Sequence, residues 1–248
     1  MQLAISKRTQ NGMRALRTQA AVFERYRGFD RCMRQLAVAD DQPLPFAAVA
    51  ELFACWGDPL SQSDESYLRS CLAEATRAAG PIVQCGTSAL TLVLGSLCSA
   101  STQRSKQLWC LEDDTHHANM TRSWLTQYQL GSAHVIASRA HLFDGYVWYA
   151  VDTSRLAERI ALVLCEGARA TPGGAVGALN RLGDRLAEDC TILARRVTRS
   201  EDLKQLNAWA RANRAAFVIV DRREGFVKIS RRSTAADQPS ADPDRSAM

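Results

Sequence analysis

Three short stretches hold the residue types from which chemistry could be built. The first is IVQCGTS, Ile82 to Ser88, where an apolar run meets a glycine and two hydroxyl residues before a helical pattern resumes. A strand, a tight glycine turn and a helix, in that order, cradle nucleotide-type ligands in open α/β sheets. The second is LWCLEDD, an apolar run closing on Glu112, 26 residues beyond Gly86. A carboxylate at the tip of a second strand can accept from both hydroxyls of a ribose, because each of its oxygens offers lone pairs. The third is ALVLCE, ending in Glu166. A carboxylate at a strand's carboxyl end, near the point where strand order reverses, can meet a ligand or take a proton from one.

Other chemistries find less support. Only Gly86 stands where a phosphate-cradling G-x-G-x-x-G would have three glycines, which disfavours a nicotinamide dinucleotide. His116 and His117 are adjacent, so on a helix they point apart, and no C-x-x-C pair occurs; no metal site is expected. The eight cysteines sit largely in apolar runs of a chain far longer than disulfide-stapled domains. They read as small buried hydrophobes of a cytoplasmic protein. No window approaches the roughly 18–20 apolar residues of a membrane span. The net charge of +5 is unevenly spread, with arginines clustered before residue 35 and again at Arg195, Arg196 and Arg199. Aromatic residues are not interleaved with these clusters, so they read as solvated faces, with nucleic acid only a minor alternative.

The elements that would position these residues follow a clear change of grammar. Helical spacing of Met13, Leu16, Ala20, Phe23, Tyr26 and Phe29 predicts a helix from about Gly12 to Leu36. A second helix follows Pro45, and a third, capped by Ser63 or Asp64, runs from about Glu65 to Ala79. From Pro81 strands alternate with helices. Strands are expected at Ile82–Cys85, Leu108–Glu112, His134–Ala137, Ala161–Cys165, Thr191–Ala194, Phe217–Asp221 and Gly225–Ser230. Helices are expected at Thr87–Leu97, Asn119–Leu130, around Leu156, Ala178–Leu186 and Glu201–Asn213. The short RREG link makes the last two strands a hairpin, so the final strand should be antiparallel. The fold class is therefore α/β, a Rossmann-like, doubly wound, mostly parallel sheet with an antiparallel final strand. Residues 1–80 form a helical N-terminal segment, 81–232 the sheet domain and 233–248 a disordered polar tail.

These stretches together resemble the class I S-adenosylmethionine-dependent methyltransferases, in particular a small-molecule branch. IVQCGTSALTLVL (Ile82 to Leu94) is similar to that branch's ILECGSGTSTLVL, and LEDDTHHANM (Leu111 to Met120) to its LEHDPEWA. RAHLFDGYVWYAVD (Arg139 to Asp152) is similar to its APL…YDWYD, and ALVLCEGARATPGGAVGAL (Ala161 to Leu179) to LVLVDGPPG…RYPAL. The resemblance covers about Ser66 to Ser230. It implies S-adenosylmethionine as cofactor. Cys85, Gly86, Thr87 and Ser88 would wrap its methionine part, with Gln84 where an acid usually meets the amino end. Glu112 would hold the ribose, Asp113 would face the adenine edge, and Arg139 and Ala140 would lie under the adenine. Glu166 would contact the cofactor amine or act as base; the candidate catalytic residues are Glu166, His141 and Asp144. Trp148 and Tyr149 would be packing residues. Ser88 replaces the second glycine, and Arg195 and Arg196 stand where the branch often has two aspartates, so a divalent-metal mechanism is not implied. The activity implied is methyl transfer to a small-molecule acceptor, with the helical segment as lid or homodimer face. The alternative is a catalytically degenerate fold serving as a binding module.

Overall fold

In the computed structural model the described residues are 24–36, 44–57, 60–103, 105–166 and 174–231. The expectations for residues 12–23 and for the tail fall outside them. The helices are α1 (24–36), α2 (Phe46–Trp56), α3 (Gln62–Arg77), α4 (Ala89–Ala100), α5 (Thr115–Gln127), α6 (Gly174–Leu182) and α7 (Ser200–Ala212). The strands are β1 (Ile82–Cys85), β2 (Leu108–Glu112), β3 (Ala133–Ala137), β4 (Ala140–Phe143), β5 (Tyr146–Tyr149), β6 (Ile160–Cys165), β7 (Leu186–Ala194), β8 (Ala215–Asp221) and β9 (Phe226–Arg231).

Seven strands form one sheet in the order β3-β2-β1-β6-β7-β9-β8. All its pairings are parallel except the two made by β9. The tight β8–β9 turn forces β9 to run backwards, and it enters the sheet between β7 and β8 rather than extending the edge. The Rossmann-like class and the antiparallel final strand are thus as the sequence implied. Strand order reverses between β1 and β6, so the crevice for a ligand opens at the carboxyl ends of these two neighbours.

Period-two alternation along each strand sorts side chains onto the two faces. Ile82, Leu162, Leu164 and Leu193 join a core with α1 to α5, whereas Val83, Val163, Cys165 and Ile192 join one with α6 and α7. The N-terminal helices belong to the first layer: Phe29, Met33, Leu52, Tyr67 and Leu68 are buried in the same cluster as the sheet residues. The Lys228 ammonium, 2.7 Å from Glu74 Oε1, ties β9 to α3. Burial opposes ionisation of Glu74, but hydrogen bonds from Lys228 and Arg77 outweigh it and hold the carboxyl below its usual range. On α1, Arg31 pairs with Glu51 and Arg34 with Asp30, so part of the basic N-terminal stripe is spent within the molecule. Seven of the eight cysteines are buried, and all eight are free thiols.

Several expected boundaries move, each for a local reason. Ser61, not Ser63 or Asp64, caps α3; its hydroxyl accepts from the Asp64 N–H while the Asp64 carboxylate accepts from the Ser61 N–H. α5 starts at Thr115 rather than Asn119 because the Asp114 carboxylate caps it, accepting from the His117 N–H at 2.9 Å. Around Leu156 there is one 3-10 turn, Thr153–Arg155, instead of an α-helix. The helix expected over Ala178–Leu186 lies at Gly174–Leu182, and β7 already begins at Leu186. Adjacent exposed Glu188 and Asp189 hide that strand's start, because they break its alternation where the register with β6 shifts. The β4–β5 hairpin was not anticipated.

Trp148 on β5 is 2 % exposed and packs on Gly177 of α6, where a Cβ would lie 2.8 Å from the Trp148 Cβ. Gly177→Ala gains helix propensity of about 1 kcal/mol against an overpacking penalty of about 1–3 kcal/mol. We expect a net loss, read as a melting point lowered by about 2–4 °C per kcal/mol; an unchanged or raised melting point contradicts this contact.

Candidate functional site

The site is built on the tips of β1, β2 and β6. Gly86 turns the chain out of β1 at φ +95°, a conformation that side chains other than glycine rarely adopt. A Cβ placed there meets nothing within 4 Å, so the space above the turn is open and backbone conformation alone demands the glycine. The Gly86 N–H donates to the Leu111 carbonyl at 2.7 Å, fastening the turn to β2.

Glu112 closes β2 with its side chain 5 % exposed as a residue, folded back onto the turn. Its Oε2 accepts from the Thr87 N–H at 2.8 Å and from the Thr87 hydroxyl, and its Oε1 accepts from the Asp114 N–H at 3.0 Å. Three donors make a buried carboxylate tolerable and fix its orientation. Asp113, on the exposed side, has its carboxyl pushed above the usual range by partial burial and by Glu112 beside it.

Ser88 has φ −157°, extended backbone open to any residue, so replacing the second glycine carries no conformational penalty. It caps α4, its hydroxyl accepting from the Leu90 N–H at 3.2 Å. A partly buried polar chain continues from it. The Thr91 hydroxyl donates to Gln84 Oε1 at 3.1 Å, the Gln84 amide donates to Glu166 Oε1 at 3.3 Å, and the Ser88 hydroxyl donates to the same oxygen at 3.4 Å. Cys85 and Cys165 lie in register on β1 and β6, their sulfurs 3.9 Å apart.

Beyond Glu166 the chain of polar groups crosses to the N-terminal helices. Arg195, just past β7, pairs with Asp64 of α3 and lies over the Tyr67 ring, 5.2 Å from its centroid. Burial pushes the Glu166 carboxyl up, while Arg195, Ser88 and Gln84 pull it down without overcoming that effect. Burial works against the Arg195 charge, but Glu166 and Asp64 outweigh it and hold the guanidinium ionised. Asp64, Tyr67, Glu166 and Arg195 line one small cavity, with Phe53 and Leu90 among its apolar walls. The sequence offered Asp64 only as a helix cap and gave Tyr67 no role in the site, since 131 residues separate Asp64 from the arginine it meets.

The remaining candidates sit on the β4–β5 hairpin. The Ser138 N–H donates to the Glu112 carbonyl at 2.8 Å, which sets Arg139 and Ala140 next to the β2 tip. Both are exposed, as are His141 and Asp144. The His141 ring meets Phe143 edge-on at 5.0 Å. Among the described residues no hydrogen bond or ion pair links His141 or Asp144 to Glu112 or Glu166, so Glu166 alone of the three catalytic candidates stands inside the polar network. Tyr149, read as packing, is indeed 7 % exposed, yet its hydroxyl also lies near charge. Its acidity is lowered by burial first, then by Cys85, Asp113 and Glu112. Among the described residues no three His, Cys, Asp or Glu side chains gather as a metal site, and no helix is long and apolar enough to cross a membrane.

No protein-family model and no curated protein matches the chain. Solved structures do. A methyltransferase from Geobacter sulfurreducens is 14% identical over 76% of this chain and 88% of its own, with a TM-score of 0.48. A precorrin-6y C5,15-methyltransferase from Geobacter metallireducens is 12% identical over 69% of this chain and 90% of its own, at 0.44. A SAM-dependent O-methyltransferase from Thermotoga maritima is 9% identical over 77% and 72%, at 0.46.

Proposed function

We propose that the protein is a class I S-adenosylmethionine-dependent methyltransferase acting on a small-molecule acceptor without a divalent metal. The observation that carries this reading is Glu112, a buried carboxylate at the β2 tip fastened to the open glycine turn at the β1 tip, beside the point where strand order reverses. Such a carboxylate suits a ribose. The Thr87 hydroxyl, which can rotate away, would yield its place on Oε2 to a ribose hydroxyl while the Thr87 N–H keeps its bond.

Cys85, Gly86, Thr87 and Ser88 would hold the methionine part, where the open space over Gly86 supports a ligand lying close to the backbone. Asp113, Arg139 and Ala140 would border the adenine, with Tyr149 beneath. Gln84 and Glu166, hydrogen-bonded to each other, would meet the amino end. S-adenosylmethionine supplies an electrophilic methyl on a sulfonium, so the protein's main task is alignment, which can contribute roughly 7–11 kcal/mol. Glu166 is the favoured base, with His141 and Asp144 as the other candidates. The helical segment would cover the acceptor end through α3, and homodimer formation through that segment stays part of the proposal.

A second reading, a binding module without catalysis, is favoured by one feature. Gln84, Ser88, Thr91 and Glu166 satisfy one another, leaving fewer polar groups free for a cofactor.

Calorimetric titration with S-adenosylmethionine, and separately with NAD, tests both. Micromolar binding of the first and none of the second is expected. Tight NAD binding, or no binding of either, overturns the cofactor reading.

A further inference from the structure

Two buried donors near Glu166 lack a strong acceptor. The Tyr67 hydroxyl and the Arg195 Nε are screened from solvent; the arginine nitrogen has no hydrogen-bond partner among the described residues, and the tyrosine has only the Cys71 thiol, a weak acceptor. Tyr67 is 4 % exposed. An unmet buried donor costs about 1–3 kcal/mol, so one unmet and one weakly met around one cavity call for an explanation. The cavity they share with Glu166 and Asp64 measures about 20 Å³, room for one oxygen-sized group.

We propose that Tyr67 and Arg195 form an oxyanion site that receives the reacting oxygen of an acidic hydroxyl acceptor, a phenol or an enol. The inference rests on the methyltransferase reading and deepens it. The chemistry is specific. A guanidinium N–H and a phenolic O–H both donate, and both favour a negatively charged oxygen. One oxygen fits, which disfavours a carboxylate or a phosphate. Phe53, Leu60, Leu68 and Leu90 supply the apolar walls around that oxygen. The acceptor's proton passes to the Glu166 carboxylate: the acceptor O–H bond breaks, the Glu166 O–H bond forms, and the electron pair stays on the bound oxygen. Asp64 keeps Arg195 in place through Nη1, leaving Nε for the ligand. The sulfur of Cys71 and the charge of Arg196 complete the polar surroundings.

4-Nitrophenol is the probe, because its ionised form absorbs visibly. The protein saturated with S-adenosylhomocysteine should bind it and raise its nitrophenolate fraction at fixed pH. Tyr67→Phe should weaken nitrophenolate binding about tenfold, the worth of one hydrogen bond to a charged group. Its melting point should be little changed, since the removed hydroxyl gives up only a weak contact with the Cys71 thiol. Arg195→Met should abolish the absorbance rise. Equal nitrophenolate binding by wild type and Tyr67→Phe, or no binding by wild type, overturns the oxyanion site. A parallel calorimetric titration with S-adenosylhomocysteine separates the two claims. Its binding without nitrophenolate binding removes the oxyanion site alone; nitrophenolate binding without it removes the cofactor reading and leaves the oxyanion site standing.

Discussion

Glu112→Ala is expected to weaken S-adenosylmethionine binding about 100-fold. Two ribose hydroxyls would each lose a hydrogen bond to a charged acceptor, at about 1.5 kcal/mol or more apiece, and about 2.7 kcal/mol corresponds to that factor. The substitution also leaves the N–H groups of Thr87 and Asp114 without their acceptor. We therefore expect a lower melting point by several degrees in a protein that still folds, at about 1–3 kcal/mol for unmet donors. Glu112→Gln separates the two roles. Its amide oxygen can still accept from Thr87, so stability should largely return, while one ribose hydroxyl still loses an ionic acceptor and binding should stay about tenfold weak. Calorimetry and thermal unfolding on the three proteins read both quantities. Binding by Glu112→Ala within twofold of wild type would remove the ribose role, leaving Glu112 as a brace between two loops.

The largest stability effect is expected at Gly225, in the turn between β8 and β9. It has φ +61°, and a Cβ there would lie 2.7 Å from the backbone N, C and O of Val197. Backbone cannot rotate away as a side chain can. The left-handed conformation costs alanine about 1–2 kcal/mol and the clash a further 1–3 kcal/mol or so. Gly225→Ala should therefore lose about 4 kcal/mol, against about 1 kcal/mol for Gly145→Ala, where φ is +79° but nothing lies within 4 Å. Denaturant unfolding of the pair decides it, and equal losses would show that the close approach to Val197 does not matter. The turn also reaches the site. The Arg196 N–H donates to the Glu224 carbonyl at 2.9 Å and the Val197 N–H to the Gly225 carbonyl at 3.0 Å. These bonds brace the segment carrying Arg195, so Gly225→Ala should weaken nitrophenolate binding as well as stability.

Much of the framework was legible because it depends on local pattern. β1 and β2 occupy the expected residues, since a short apolar run bounded by Gly, Pro or acids has few other uses. The Gly86 turn follows from what a glycine can do with its own backbone. Where local cues conflicted, reading failed. Glu188 and Asp189 fell between the expected helix and strand, and they are exposed residues inside β7. Ser88 looked like a lost glycine until its extended φ removed the need for one.

By itself, then, the chain determined the strand–turn–helix unit, the position of Glu112 relative to it and the antiparallel return of β9, all products of spacing and turn length. Tertiary structure alone decided what Arg195 touches. Its charge acquires meaning only when α3 folds over the carboxyl ends of β6 and β7, bringing Asp64 and Tyr67 to it and setting Glu166 opposite. Burial there withholds water from the Tyr67 hydroxyl and the Arg195 Nε, and donors without a strong acceptor in a one-oxygen cavity arise only from packing residues that lie far apart in sequence.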